Sequence, residues 1–420
     1  MRPERLPPEL PLLLALTRRQ LPPDVEGQIT AWLAAGGQPN QLYALAETHG
    51  LEMLLYRGLA ALRDNSLADL TARLEHTLTE NAVLYEFVYP GQLAALLDAL
   101  ERAGVETLVL KGFALGQTVY GQAVLRPYGD FDLLVRESWL ETAEQALIAL
   151  GYQPDESQAS RAWYRAHHHH LAPLVHPTHL PVEIHWGLVT PGSSIVVNVD
   201  DVWAEARPLE VSGVWTRVLS PEHLLVYLCI HAVQTHLFEM GLKPLCDVRE
   251  LLDASALDGK RVAETCHRWR CERHVSLMLR LLELVSGVRP PVSATLGQAE
   301  IDPPLLDYCL DNLLTTAVAG LPESSGLVRA WQERQPRRRL RYVITRLLPS
   351  RETVADEYQL SAHSPKVWLH YPRWQWMMLR RHFKTAMRLL RGDPAALAEA
   401  RDEAVRRELL AWLDGDGQAV

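Results

Sequence analysis

Two hydrophobic periods alternate along the chain. Over the first 85 residues, apolar side chains recur at helical spacing. Examples are Leu42-Tyr-Ala-Leu-Ala-Glu-Thr-His-Gly-Leu-Glu-Met-Leu-Leu-Tyr56 and the stretch from Leu67 to Leu78, with a turn at Gly36-Gly37-Gln38-Pro39. From about residue 86 the texture changes. A helix over 86–103 leads into a short β-like run at 105–110, then a helix over 113–120. A strand at 131–135 is entered through Arg126-Pro-Tyr-Gly129. A helix over 138–150 follows, then three strand candidates at 151–152, 169–175 and 181–188. Strands interleaved with helices predict an α/β unit. After Ser220 the chain returns to helix, with Pro221 at a helix start and breaks at Pro290-Pro291, Pro303-Pro304, Pro349 and Pro365. The expected fold is α+β: a small mixed-sheet core over 86–219, helical domains over 1–85 and 220–290, and a C-terminal helical region over 291–420.

Composition narrows the classes. With 420 residues, 48% hydrophobic and 22% charged, the chain is globular and long enough for two to three domains. A mostly disordered or fibrous chain is excluded. The net charge of −9 hides an asymmetry. Between Arg329 and Arg391 there are 15 Lys/Arg against four Asp/Glu, a local +11, which leaves −20 on the remainder. That basic stretch mixes Arg337, Arg338, Arg339, Arg380 and Arg381 with Trp368, Tyr371, Trp374 and Trp376. Such a pattern suits RNA or an anionic membrane surface, or a solvated helix face over core tryptophans. Five cysteines, an odd number, argue against a disulfide framework and for a reducing cytosol. The apolar run at Leu10–Leu16 is short and interrupted by Pro11, so no signal peptide is expected, and no stretch is long enough for a transmembrane segment.

The chemistry concentrates in three places. In Arg126-Pro-Tyr-Gly-Asp-Phe-Asp-Leu-Leu-Val135, strand alternation puts Asp130 and Asp132 on one side and Phe131 and Leu133 on the other. Two carboxylates so close on an apolar strand repel each other and resist desolvation, and a divalent cation removes both problems. Two such ions about 4 Å apart would clamp a phosphoryl transfer. In Leu108-Val-Leu-Lys-Gly-Phe-Ala-Leu115 a strand-to-helix turn offers Lys111, Gly112 and free backbone N–H groups to a phosphate. In Pro181-Val-Glu-Ile-His-Trp-Gly-Leu188, Glu183 and His185 share a face, and Glu183 is a candidate third ligand or general base. Seven histidines crowd into residues 167–185. They suggest either a zinc site or site-lining imidazoles, of which His170 and His185 are chosen. Lys243 and Asp247, four residues apart, either form a local salt bridge or close over a nucleotide, with His231 able to join them.

These strings together resemble a known bacterial family. Leu110-Lys-Gly-x-Ala-Leu115, Leu125-Arg-Pro-x-x-Asp-x-Asp-Leu-Leu-Val135 and Val182-Glu-Ile-His-Trp186 look like the uncharacterised nucleotidyltransferase-like family of the polymerase-β-type superfamily. The segments Ala46–Leu59, Ser220–Ala232 and Leu242–Leu252 extend the resemblance. It implies a nucleotidyltransferase core in which Asp130, Asp132 and Glu183 are catalytic and bind Mg²⁺ or Mn²⁺. It also implies nucleotide binding by Lys111, Gly112, Arg126, His185, Lys243 and Asp247. The implied partners are an NTP donor and an acceptor that is a small molecule, a protein or RNA. A non-catalytic nucleotide-binding scaffold and a toxin-like enzyme acting on tRNA are the alternatives. Lys111-Gly112 stands where the superfamily usually has Gly-Ser or Gly-Gly, and 17 residues separate Gly112 from Asp130.

Overall fold

The structure is a computed structural model. It describes residues 7–63, 65–155, 160–296, 299–314, 351, 354, 364–391 and 393–415. The chain divides into two compact units, one of Met1–Ile301 with Cys309–Thr316 and one of Asp302–Tyr308 with Ala317–Val420.

The first unit opens with helices α1 (Leu10–Leu16), α2 (Val25–Ala34), α3 (Pro39–Thr48), α4 (Glu52–Ala60) and α5 (Ala68–Val83). A π-turn at Leu84–Val88 carries α5 into α6 (Tyr89–Arg102) without a break in helical backbone. The core follows as β1 (Leu108–Val109), α7 (Lys111–Leu115), β2 (Phe131–Leu134), α8 (Leu140–Ala149), β3 (Gln153–Pro154), α9 (Arg161–His167), β4 (Leu174–Val175), β5 (Val182–His185), α10 (Val199–Glu205), β6 (Arg207–Val211) and β7 (Val214–Val218). Four helices close the unit: α11 (Pro221–Ile230), α12 (Lys243–Ala254), α13 (Gly259–Trp269) and α14 (Glu272–Ser286). Helix α15 (Pro303–Leu314) spans residues of both units.

The seven strands form one sheet in the order β3-β4-β5-β2-β1-β7-β6. β2 runs parallel to β5 and β1 parallel to β7, while the other pairs are antiparallel, so the sheet is mixed. Alternation along β2 and β5 sorts the side chains. Phe131, Leu133, Val182 and Ile184 join a buried cluster with Leu93, Leu97 and Leu100 of α6 and Leu140, Ala143 and Leu147 of α8. The α+β expectation therefore holds.

Several expected elements shift. The strand at 151–152 is instead β3, two residues later, and of the run at 169–175 only Leu174–Val175 is a strand. His170 contributes one isolated bridge to His185. Helix α9 and the β6–β7 hairpin carry no sequence expectation. The hairpin turns at Ser212 (φ +47°) and Gly213 (φ +87°), the left-handed pair that matches strand twist. Pro208 and interleaved charges mask its alternation, and β7 joins it to the sheet by pairing with β1.

In the second unit, α16 (Val367–Leu390) and α17 (Pro394–Leu413) are described. Asp393 caps α17 by accepting from Ala396 N. Tyr371 and Trp374 pack on buried Val354 and Val367. Exposed Arg380 lies over the Trp376 ring at 5.1 Å. Arg337, Arg338, Arg339 and the Arg381 side chain lie outside the described residues. Among the described residues, no helix is long and apolar enough to cross a membrane.

Candidate active site

The site grows out of one register. β2 and β5 align Phe131 with Val182, Asp132 with Glu183, Leu133 with Ile184 and Leu134 with His185. The core takes Phe131, Leu133, Val182 and Ile184, so Asp132, Glu183 and His185 emerge together on the opposite face. His185 Nε2 lies 3.0 Å from Asp132 Oδ1 and 3.5 Å from Glu183 Oε2. Asp132 and His185 are buried, while Glu183 and Asp130 are half-buried at the rim. Lys111 reaches the same carboxylate, with Nζ 2.9 Å from Asp132 Oδ1. Its backbone is left-handed (φ +34°), a conformation that costs a non-glycine residue energy.

The electrostatics split the two aspartates. Burial and the adjacent Asp132 push the Asp130 carboxyl up to about 6. Burial alone would raise Asp132 as well, yet Lys111 and His185 hold it far below the usual carboxylate range. Burial works against protonation of His185, but its bonds to Asp132 and Glu183 win and raise it. The His185 bond in turn lowers Glu183 against the effect of burial.

Two carboxylates and an imidazole are a sound donor set for a divalent cation. Asp132, Glu183 and His185 each offer one ligand atom, all within 4.8 Å of one another. Among the described residues this is the one such group, and none of His167–His170 belongs to it. The zinc reading of the histidine run therefore lacks a donor set there. Instead His168 Nδ1 lies 3.0 Å from His170 Nε2, and the His170 ring lies 5.2 Å from that of His185. His169 is buried with no partner at Nδ1.

Other candidates have different neighbours. Arg126 donates to both carboxylate oxygens of Asp247, at 2.7 to 3.2 Å, and to Pro127 O. The Tyr120 hydroxyl donates to the same Asp247 at 2.7 Å. Lys243 Nζ does not pair with Asp247 but donates to Pro127 O at 2.6 Å, and burial beside Arg126 pushes it down to about 7. The local Lys243–Asp247 salt bridge is thus replaced by two longer-range attachments, because Arg126 offers Asp247 a bidentate partner. Arg126, Lys243 and Asp247 tie the loop before β2 to α12. Gly112 is buried, and a Cβ there would stand 2.7 Å from Tyr128 Cβ, so its small size serves that contact.

Of one further wall of the site, sequence reasoning named His231, beside Lys243 and Asp247, but not Tyr227 or His236. Lys111 Nζ also lies 3.3 Å from His231 Nε2. The His231 ring is 4.6 Å from that of His236, and both histidines are half-buried. Tyr227, one turn before His231 on α11, is fully buried and electrostatically close to Lys111. Its spacing of four from His231 was the available signal.

A family model for uncharacterised nucleotidyltransferases matches residues 36–287. No curated protein matches. Among solved structures, the chain is similar to the antibiotic-resistance factor ANT(2'')-Ia in solution. The identity is 15% over 45% of this chain and 94% of that one, with a TM-score of 0.31. The family match takes in more than half of the chain, including β2, β5, Lys111 and α11, and so the chain belongs to the uncharacterised nucleotidyltransferase family.

Proposed function

We propose that the protein moves a nucleoside monophosphate from an NTP to a hydroxyl acceptor and releases pyrophosphate. The observation that carries this reading is the β2–β5 register, which sets Asp132 beside Glu183 with Lys111 and Asp130 around them. Family membership supports nucleotidyl transfer in general.

In this reading Asp130, Asp132 and Glu183 hold Mg²⁺ or Mn²⁺, with His185 as a nitrogen donor beside them. A divalent cation, when bound, would polarise the α-phosphate and offset charge on the departing pyrophosphate. A rim carboxylate, Asp130 or Glu183, takes the proton of the acceptor hydroxyl. The acceptor oxygen bonds to the α-phosphorus as the bond to the β-phosphate oxygen breaks. Lys111 supplies positive charge to the phosphates.

Thermal-shift titration with each NTP, with and without Mg²⁺, tests the reading on wild type and Asp132→Asn. Ligand at about 100 times its Kd adds roughly 2.7 kcal/mol. A Mg²⁺-dependent shift with one NTP, lost in the variant, names the donor for an acceptor screen that follows pyrophosphate release. No shift with any NTP refutes the reading.

A further inference from the structure

Lys111 stands between two sites that want it for different reasons. Its ammonium sits 2.9 Å from Asp132 Oδ1 and 3.3 Å from His231 Nε2. The same Asp132 oxygen also meets His185 Nε2 at 3.0 Å. A divalent cation among Asp132, Glu183 and His185 would stand beside this ammonium, and like charges that close oppose each other. In the arrangement seen here, Lys111 blocks the cation site that it borders.

On its other side is a wall of hydrogen-bond donors. His231 accepts from Lys111 at Nε2, which leaves the Nδ1 proton to donate elsewhere. His236 stacks edge-on against it. The fully buried Tyr227 hydroxyl has Lys111 as a near neighbour able to donate to its oxygen, but among the described residues no group within hydrogen-bond distance accepts its own proton. Such an orphaned donor calls for a ligand. His231 opens a π-turn (His231–Thr235), an irregularity frequent at functional sites, and left-handed backbone follows at Leu237 (φ +44°) and Phe238 (φ +65°). Burial and Lys111 keep both imidazoles neutral, so they act as N–H donors and do not compete with the lysine for an anion.

We propose that Tyr227, His231 and His236 form a polyphosphate subsite, and that Lys111 is a mobile cation shared between this subsite and Asp132. An anion on the wall draws Lys111 off Asp132 and opens the carboxylate to a divalent cation; a cation at Asp132 releases Lys111 to the anion. The two ligands therefore bind with positive coupling. The identity of the anion as an NTP polyphosphate rests on the nucleotidyl-transfer reading.

The coupling is read from each ligand alone, so chelation in solution does not intrude. Mn²⁺ binding without anion is followed by electron paramagnetic resonance. Tripolyphosphate binding in EDTA is followed by calorimetry. Lys111→Gln binds Mn²⁺ about tenfold more tightly than wild type, because the blocking charge is gone. Asp132→Asn binds metal-free tripolyphosphate about tenfold more tightly than wild type, because Lys111 is released. His236→Gln weakens tripolyphosphate about fivefold and leaves Mn²⁺ affinity at the wild-type value. Equal or weaker binding in the first two variants overturns the shared cation, and unchanged tripolyphosphate binding in the third overturns the subsite. Should Lys111→Gln fail to fold, Asp132→Asn decides alone. If these shifts are absent while wild type still releases pyrophosphate, the coupling fails and the transfer reading stands. If neither wild type nor Lys111→Gln binds Mn²⁺, the cation site fails and the coupling with it.

Discussion

Asp132 and Asp247 are both buried aspartates held by a cation and a second donor, and they do opposite things. Asp247 is balanced. Arg126 meets it with a bidentate fork, Tyr120 adds a short bond, and the loop before β2 is thereby fixed to α12. Asp132 is not balanced. Its partners Lys111 and His185 share one oxygen, and the further carboxylates of Glu183 and Asp130 crowd the same place. An excess of negative charge around a single lysine invites another cation, whereas a closed guanidinium–carboxylate pair invites nothing. In the proposed reading one aspartate marks a site and the other a strut.

Four measurements press on that contrast. The largest effect falls on Asp132. Outer-shell partners of a metal alone cost about 10–100-fold when removed, so loss of a ligand in Asp132→Asn lowers transfer by more than about 100-fold. The variant keeps its cooperative melt, and steady-state pyrophosphate release beside a thermal melt checks both halves. At Asp247 the loss is in folding. Asp247→Ala leaves the half-buried Arg126 guanidinium without its carboxylate, at a cost of about 3 kcal/mol in urea unfolding. Turnover per folded molecule stays near wild type, and a collapse of turnover in fully folded protein would make Asp247 part of the site after all.

Two smaller effects sharpen the strut side. Gly112→Ala drives a Cβ to 2.7 Å from Tyr128 Cβ. Overpacking of this kind costs about 1–3 kcal/mol, seen as a lower urea midpoint. His49 is buried at the end of α3 and accepts from Leu242 N, at the start of α12, on Nδ1. Burial pushes it down to about 4. Between its unfolded value near 6.5 and 4, the unfolded chain binds a proton that the folded one refuses, so stability rises with pH. On acidification it falls by up to about 1.4 kcal/mol per pH unit through that window and levels off below. His49→Gln flattens this part of the profile, measured by urea unfolding from pH 7 to pH 4.

The sequence pattern carried the strands that matter. In Asp130-Phe-Asp-Leu-Leu and Val182-Glu-Ile-His, the alternation of polar and apolar residues is local, so the faces of β2 and β5 were legible. The hairpin of β6 and β7 was not. Its alternation is broken by Pro208 and charges, and its place in the sheet comes from pairing with β1, 109 residues earlier in the chain. The resemblance implies nucleotide binding by Arg126, while the side chain pairs here with Asp247, 121 residues away. Tyr227 and His236 belong to a helical segment that looked like packing alone.

The chain by itself determined which residue types share a strand face, because side-chain direction follows from backbone period and needs no neighbour. It therefore determined that carboxylates and an imidazole would stand on apolar strands. Only the tertiary structure decided that β5 lies beside β2 in a register that puts Glu183 across from Asp132. It also decided that the π-turn after α11 brings His231 to Lys111 and that Arg126 pairs with Asp247. Strand order and helix docking are set by burial summed over the whole core, and no local pattern contains that sum.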